Sequence, residues 1–405
     1  MAKAAIIAHA DMDAFYVEAE LLDKPQLHGQ KVIVAGEGRS VVLSASYPAR
    51  ADGVRSAMPL SRAIRLSPDS LVLPPQMPRY RRLSAAIMDY FDTLTDRKEQ
   101  VSVDEAFLDL TGAVRRLGTP QQMGSMIRRD VRERFGLPVS VGMADRKFIA
   151  KIASTRAKPD GLLLVPPAER ISFLHSLPVN ALWGVGAKTA QALEEMGLRT
   201  VEQLAATPKE TLRRRFGANG EHLHDLAWGH DPRTVEPAHT EKSIGAEETF
   251  AADTSSTEEL STELLRLSHK VAVRLRASGL SASGVSMKVR WSDFTTVTRS
   301  ASLDHPTQAA SQLHRHCLRL LRGLGDRPQP VRLIGVRAER LGRDDGSLQL
   351  SLTDAGEDAH DEERLAAERA LDAVAGRFPT IGAGPASLLK RRSRPDDRAD
   401  GGSSL

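Results

Sequence analysis

The amino-acid sequence predicts a multi-domain protein of mixed helix and sheet, and three observations carry that expectation. The chain has 405 residues, room for about two to four units of roughly 150 residues each. Residues 1–165 alternate short β-branched runs with helix-period stretches, as an α/β or α+β unit does. From 166 the pattern changes to short helices separated by Gly, Pro and Asn, and after 243 to strands and helices in the order βαββαβ.

In the first region AAIIAHA, KVIVAG, SVVLSA, SLVLP, VSVDEAFLDL and PVSVGMA read as strands. Helices are predicted at 14–22, 78–94, 119–135 and 146–157, the last two with apolar residues at i, i+3, i+4. Residues 166–235 form a small helical piece, basic at Arg213, Arg214 and Arg215. The stretch 236–243 has a proline and no periodicity, and reads as a linker. In 244–341 the strands IGAEETF, VSMKVRW, TTVTRSASL and VRLIGVRAERL bracket helices at 257–277 and 307–322. Residues 342–405 are an acidic, helix-capable segment followed by a tail of low-complexity composition.

Composition excludes several classes. With 41% hydrophobic and 27% charged residues the chain has enough apolar surface for several cores, so general disorder is ruled out. No run approaches the ~20 apolar residues of a membrane helix, and His9 and Asp11 interrupt the opening before a signal-peptide core could form. A single cysteine, Cys317, allows neither an internal disulfide nor a structural zinc site, and a cytoplasmic location is expected. His314, His316 and Cys317 share a helix-period segment with Leu313, Leu318 and Leu321, which favours packing over metal binding. Formal charge is only +4, but 344–376 carries −8, leaving +12 on the rest, which suits a polyanionic partner.

The strongest local signal is Asp11-Met12-Asp13 after the first strand, together with Ser102-Val103-Asp104-Glu105 leading into AFLDL. Carboxylates are depleted in strands, so acids at two strand boundaries call for a cause beyond propensity. Oxygen ligands converging from neighbouring strands suit hard divalent ions such as Mg²⁺, and two ions about 4 Å apart can serve an in-line phosphoryl displacement.

Several longer motifs stand in register with those acids: Asp11-Met12-Asp13-Ala14-Phe15-Tyr16, Ser46-Tyr47-Pro48-Ala49-Arg50, Gly53-Val54-Arg55-Ser56-Ala57-Met58-Pro59, Ser102-Val103-Asp104-Glu105-Ala106-Phe107, Ala150-Lys151-Ile152-Ala153-Ser154 and Ala157-Lys158-Pro159-Asp160-Gly161. With Gly184-Val185-Gly186, Lys242–Phe250 and Val331–Val336 they resemble the Y-family translesion DNA polymerases over residues 5–341. The resemblance implies an α+β, multi-domain right hand: ferredoxin-like palm and small fingers (1–165), helical thumb with a helix-hairpin-helix (166–235), linker (236–243) and βαββαβ little finger (244–341). It implies template-directed, low-fidelity DNA synthesis by two-metal phosphoryl transfer, with primer-template DNA, deoxynucleoside triphosphates and two Mg²⁺ ions as partners, and a monomer with no membrane association. A catalytically inactive DNA-binding scaffold of a repair complex is the alternative. A nucleotide cyclase on a similar palm is disfavoured, because the hairpin and basic terminal module would then have no job.

By the same resemblance Asp11, Asp104 and Glu105 are the catalytic carboxylates and the Met12 carbonyl a further metal ligand, while Asp13 stands outside the set. Phe15 and Tyr16 lie at the sugar, with Tyr16 as the steric gate against a ribose 2′-hydroxyl; adjacent helical side chains diverge, so one can pack while the other faces the nucleotide. Tyr47, Arg50 and Lys158 contact the triphosphate, with Ser44 near the same pocket. Arg146 replaces the usual Asn before Lys147, which touches only the helix start. Gly184, Val185, Gly186 and Lys188 fail the P-loop pattern and instead resemble a hairpin whose main-chain N–H groups approach a DNA phosphate. Lys242, Lys288, Arg290, Arg299, Arg332 and Arg337 are expected on strands laid against the duplex backbone. Gln349, Leu350 and Leu352 resemble a sliding-clamp-binding peptide, with Thr353 where an aromatic is usual.

Overall fold

From its N-terminus the chain runs through β1 (Ile7–Met12), α1 (Phe15–Leu21), β2 (Val32–Ala35), β3 (Val42–Ala45), α2 (Tyr47–Ala51), α3 (Leu60–Leu66), β4 (Leu71–Leu73), α4 (Met77–Asp92), β5 (Lys98–Gln100), β6 (Glu105–Asp109), α5 (Val114–Leu117), α6 (Pro120–Phe135), β7 (Val139–Ala144), α7 (Lys147–Ala157) and β8 (Leu162–Leu164). Five helices follow: α8 (Arg170–His175), α9 (Ala187–Glu195), α10 (Val201–Ala206), α11 (Lys209–Phe216) and α12 (Ala218–Ala227). The computed structural model describes residues 5–237, 241–325, 329–343 and 355–378, apart from the side chains of 355–362. Two units emerge, Met1–His239 and Thr240–Leu405, dividing inside the aperiodic stretch 236–243.

In the first unit β1 lies at the centre of a sheet ordered β5-β6-β1-β7-β8, antiparallel to both neighbours. The path β6-α6-β7 therefore straddles β1, a split βαβ. Because side chains alternate across a strand, β1 serves both faces. Ala8, Ala10 and Met12 enter the core under α4 and α6, whereas Ile7, His9 and Asp11 rise on the face that α7 covers. α6 is well delimited: Thr119 and Gln122 make a capping box, Pro120 opens it, and Gly136 closes it with a left-handed residue. α7 comes unusually near the sheet because Gly142 has no side chain; a Cβ there would collide with the Ala150 carbonyl and the Ser154 amide. A second sheet, ordered β3-β2-β4, carries α2 and α3 around its own small core of Ile33, Val42, Val54 and Ala63.

The sequence does not foresee β5, β8, α2, α3 or α5, each between three and seven residues long. Segments this short bear too few residues to register a period. Arg146 has an extended backbone and supplies no side-chain cap, and α7 begins at Lys147, one residue after the expected start.

The second unit contains β9 (Ser243–Thr254), α13 (Thr257–Ser278), β10 (Leu280–Trp291), β11 (Thr296–Thr307), α14 (Ala310–Arg322), β12 (Val331–Arg343) and α15 (Ala355–Arg377). Its sheet order β11-β10-β12-β9 makes two interlocked split βαβ paths. Leu260, Leu264, Leu267, Val271 and Leu275 of α13 and Leu313, Cys317 and Leu321 of α14 cover one sheet face, so Cys317 is a core residue. Burial pushes its thiol up to about 12.

α15 is docked by charge. Arg276 of α13, 7% exposed, pairs with Glu368 and Asp372, each at 2.6 Å. Glu368 also accepts from the backbone N–H of Ala310 and Ser311, filling the cap that Ala309 cannot provide for α14. Glu368→Ala leaves a buried guanidinium half-compensated and a helix start bare, and is expected to cost about 2 kcal/mol. A melting temperature within a degree of the parent would contradict this.

Candidate active site

β1 and β6 pair in the register Asp11↔Glu105, and the Met12 N–H donates to the Asp104 carbonyl at 2.9 Å. Asp11 and the adjacent pair Asp104-Glu105, far apart in sequence, thus meet on two neighbouring inner strands. They line a cleft of about 470 Å³ with Met12, Ala14, Phe15, Tyr16, Leu43, Ser44, Arg50, Arg55, Ser56 and Lys158. A carboxylate oxygen of Asp11, one of Glu105 and a nitrogen of His9 all lie within 4.8 Å of one another. Asp104 lines the same cleft, its Oδ1 accepting from the Ser102 hydroxyl at 2.5 Å.

Uncompensated, so many buried charges on one face would be costly, and α7 supplies the answer. Lys147, Lys151, Ser154 and Lys158 follow at i, i+4, i+7 and i+11, one stripe of the helix extended to its C-cap. Opposite them, Glu99, Phe107 and His9 form one row of the sheet, and Glu105 with Asp11 the next. Lys147 donates to Glu99 at 2.5 Å, Lys151 to Glu105 Oε2 at 2.5 Å and Lys158 to Asp11 Oδ1 at 2.6 Å. Ser154 Oγ is 2.7 Å from His9 Nδ1.

The proton affinities follow from these surroundings. Burial pushes Asp11 up to about 6 against the pull of Lys158, with the charges of Asp104 and Glu105 adding to the rise. Its neighbour Glu105 is held down at about 2 by the His9 hydrogen bond, with Lys151 acting in the same direction. His9 itself is pushed down to about 4 by burial, so the neutral ring meets Glu105 as a hydrogen-bond partner rather than an ion pair. Oxygen donors crowded this closely, one of them reluctant to ionise, are what a hard divalent cation relieves.

The remaining expected residues are placed as follows. Phe15 is 2% exposed and packs in the core, whereas Tyr16 is half-buried beside the cleft. Its ring lies 4.6 Å from that of Tyr80, which is fully buried and donates to Glu20 Oε1 at 2.7 Å. The Tyr47 hydroxyl donates to Asp13 Oδ1 at 3.2 Å, so it is turned inward rather than presented to the cleft. Asp13 is fully buried and also accepts from Ser140 and the Asp160 N–H, a structural set of contacts. Arg50 donates to the Ala45 carbonyl and lies over the Tyr47 ring at 5.0 Å.

Gly184, with φ of 97°, and Gly186, the N-cap of α9, form the turn before that helix, and Lys188 is its second residue. In the second unit Lys288, Arg290 and Arg337 stand on the sheet face without helices; Lys288 pairs with Glu247 at 2.9 Å. Two expectations there need correction, those for Lys242 and Arg299, whereas Arg332 lies in β12 as expected. Lys242 precedes β9 rather than lying in it. Arg299 pairs in register with Met287, a core residue, so its side chain belongs to the opposite, helix-bearing face. Arg332 falls at a bulge and covers the exposed Phe294 ring at 4.6 Å. Gln349, Leu350 and Leu352 lie outside the described residues.

Sequence reasoning passed over His9, Arg55, Ser56, Ser102 and Lys151. Arg55, Ser56, Ser102 and Lys151 stand inside the longer motifs, but neither a lone buried His nor a helical Lys carries a linear signal of its partner.

Comparison with known proteins settles the family. Residues 10–155 match the model of the impB/mucB/samB family, and 241–352 that of its C-terminal domain. The chain belongs to the DNA polymerase IV family. A DNA polymerase IV of Desulfatibacillum aliphaticivorans is 40% identical over 95% of this chain and 97% of that one. Another, of Caulobacter vibrioides, is 41% identical over 95% and 94%. Residues 180–231 match a thumb-domain model described for DNA polymerase iota. Among solved structures, the Y-family DNA polymerase chimera Dbh-Dpo4(243-245)-Dbh superposes with a TM-score of 0.77 at 25% identity, covering 84% of this chain and all of that one. DinB from Sulfolobus solfataricus gives 0.58 at 26% identity, covering 82% and 98%. Membership makes this chain a translesion, DNA-directed DNA polymerase, so the scaffold alternative is not favoured. The family depends on divalent metal in general, and no helix among the described residues is long and apolar enough to cross a membrane.

Proposed function

We propose that the β1–β6 cleft holds a deoxynucleoside triphosphate with two Mg²⁺ ions and joins the nucleotide to the 3′-end of a primer-template DNA. The observation that carries this reading is the meeting of Asp11, Asp104 and Glu105 with Arg50, Lys158 and the Tyr16 ring in one cleft. The donor set fits hard ions, since three carboxylates and the Met12 carbonyl are all oxygen ligands. When bound, the paired ions make the primer hydroxyl a better nucleophile and neutralise charge on the α-phosphate and departing pyrophosphate.

Each protein group has a task that needs no further chemistry. Asp11 and Glu105 face each other across two strands and set the spacing of the ligand oxygens. Arg50 offers a planar fork and Lys158 a point charge to the triphosphate, with Ser44 beside them. Tyr47 then acts by holding Arg50 and Asp13 in place. In moving to a phosphate, Lys158 releases Asp11.

Within this reading, 1–165 is palm and fingers, 166–235 thumb, 236–243 linker and 244–341 little finger. Main-chain N–H groups at Gly184 and Gly186, with Lys188, take a DNA phosphate, while the Val185 N–H closes the turn on the Leu182 carbonyl at 3.1 Å. Lys288, Arg290 and Arg337 take others on the uncovered sheet face, with Lys242 and Arg332 at its margins. Gln349, Leu350 and Leu352 dock to a sliding clamp, and the enzyme works as a cytoplasmic monomer that copies past damaged bases.

Primer extension tests the core of this. Purified protein is expected to extend a primed template with Mg²⁺ and to stop on addition of EDTA, with a sigmoidal dependence on Mg²⁺ concentration. No incorporation with Mg²⁺ or Mn²⁺ would return the chain to the scaffold reading.

A further inference from the structure

We infer that Lys151 is a positioning residue for the metal-binding carboxylates: a built-in cation that holds Glu105 by one oxygen and competes with an arriving divalent ion. The inference rests on the reading of Glu105 as a metal ligand. Lys151 Nζ lies 2.5 Å from Glu105 Oε2, and the His9 ring nitrogen Nε2 lies 3.4 Å from the same oxygen. Both contacts converge on Oε2, so Oε1 is the oxygen left for an ion. Unlike Lys158, Lys151 does not line the nucleotide cleft, so an incoming triphosphate offers it no alternative partner there.

Lys151 is also confined. Its ammonium is 5.8 Å from the centre of the Trp183 ring, and that ring is stacked on Phe107 at 5.8 Å. Close packing of α7 at Gly142 fixes the helix that carries it. A neutral partner such as His9 orients a ligand and strengthens its hold on metal. A cation orients it equally well but repels the ion. The two roles therefore have opposite signatures on metal affinity, and Lys151 combines good geometry with weakened binding.

The test is direct titration of the full-length protein with Mn²⁺, following free Mn²⁺ by electron paramagnetic resonance, in the parent, Lys151→Met, Lys151→Arg and Glu105→Gln. Lys151→Met is expected to bind Mn²⁺ about ten-fold more tightly while kcat falls about ten-fold, because Glu105 is no longer held. Lys151→Arg is expected to restore both values. Lys151→Gln keeps a hydrogen bond without the charge, and carries the same expectation of tighter binding if the methionine variant does not fold. Unchanged or weaker Mn²⁺ binding in the neutral variants, with Glu105→Gln still abolishing it, would overturn the role of Lys151 and leave the metal site standing. Retention of full Mn²⁺ binding in Glu105→Gln would overturn the site itself.

Discussion

Asp104→Ala is expected to lower primer extension by on the order of a thousand-fold or more while leaving affinity for primer-template DNA within a factor of two. The reason is geometric. Asp104 stands at the mouth of β6 with its carbonyl tied to the Met12 N–H, so the backbone holds its place without the side chain. Its carboxylate accepts from the Ser102 hydroxyl, which in turn accepts from the Asp104 N–H, and among the described residues it joins no ion pair that truncation would break. What disappears is one of three negative charges in the cleft and one oxygen ligand. Single-nucleotide incorporation under single-turnover conditions measures the loss, and equilibrium binding of labelled DNA measures what is retained. Near-parental incorporation by this variant would remove Asp104 from the chemistry.

Tyr16→Ala is expected to raise ribonucleotide relative to deoxynucleotide incorporation roughly ten- to a hundred-fold. The Tyr16 ring cannot retreat from an extra hydroxyl, because Tyr80 stands behind it, fully buried and tied to Glu20. A wall supported in this way excludes by steric contact, and excision opens space for the 2′-oxygen. Phe15 gives the control: it lies in the core, so Phe15→Ala should destabilise the first unit by about 3–5 kcal/mol without that change in sugar preference. Unaltered sugar selectivity in Tyr16→Ala would assign Tyr16 to packing alone.

Much of this architecture is written in local pattern. The long helices α4, α6, α7, α13 and α14 appear as 3.6-residue periods, and ten of the strands as short runs between turn residues. The acids of the cleft are legible as violations of the same rules, since Asp11, Asp104 and Glu105 sit where strand propensity disfavours them. Tyr47 and Arg299 show where such reading stops. Each is the right residue type at the right position in line, yet a hydrogen bond to Asp13 turns one inward, and pairing with Met287 sends the other to the far side of its sheet. For Arg299 the orientation depends on strand register, where a one-residue slip exchanges the two faces, and for Tyr47 on a hydrogen bond to a residue 34 positions away.

Residue order alone decides the longer elements, which positions carry charge and that acids gather at two strand ends. Which oxygen of Glu105 is held, why His9 is neutral and why three lysines of one helix stripe face three acids on different strands are decided only when α7 settles onto β5, β6 and β1. Periodicity and propensity are properties of neighbours in the chain. Charge compensation acts between groups up to 147 positions apart, so it exists only after the backbone has folded.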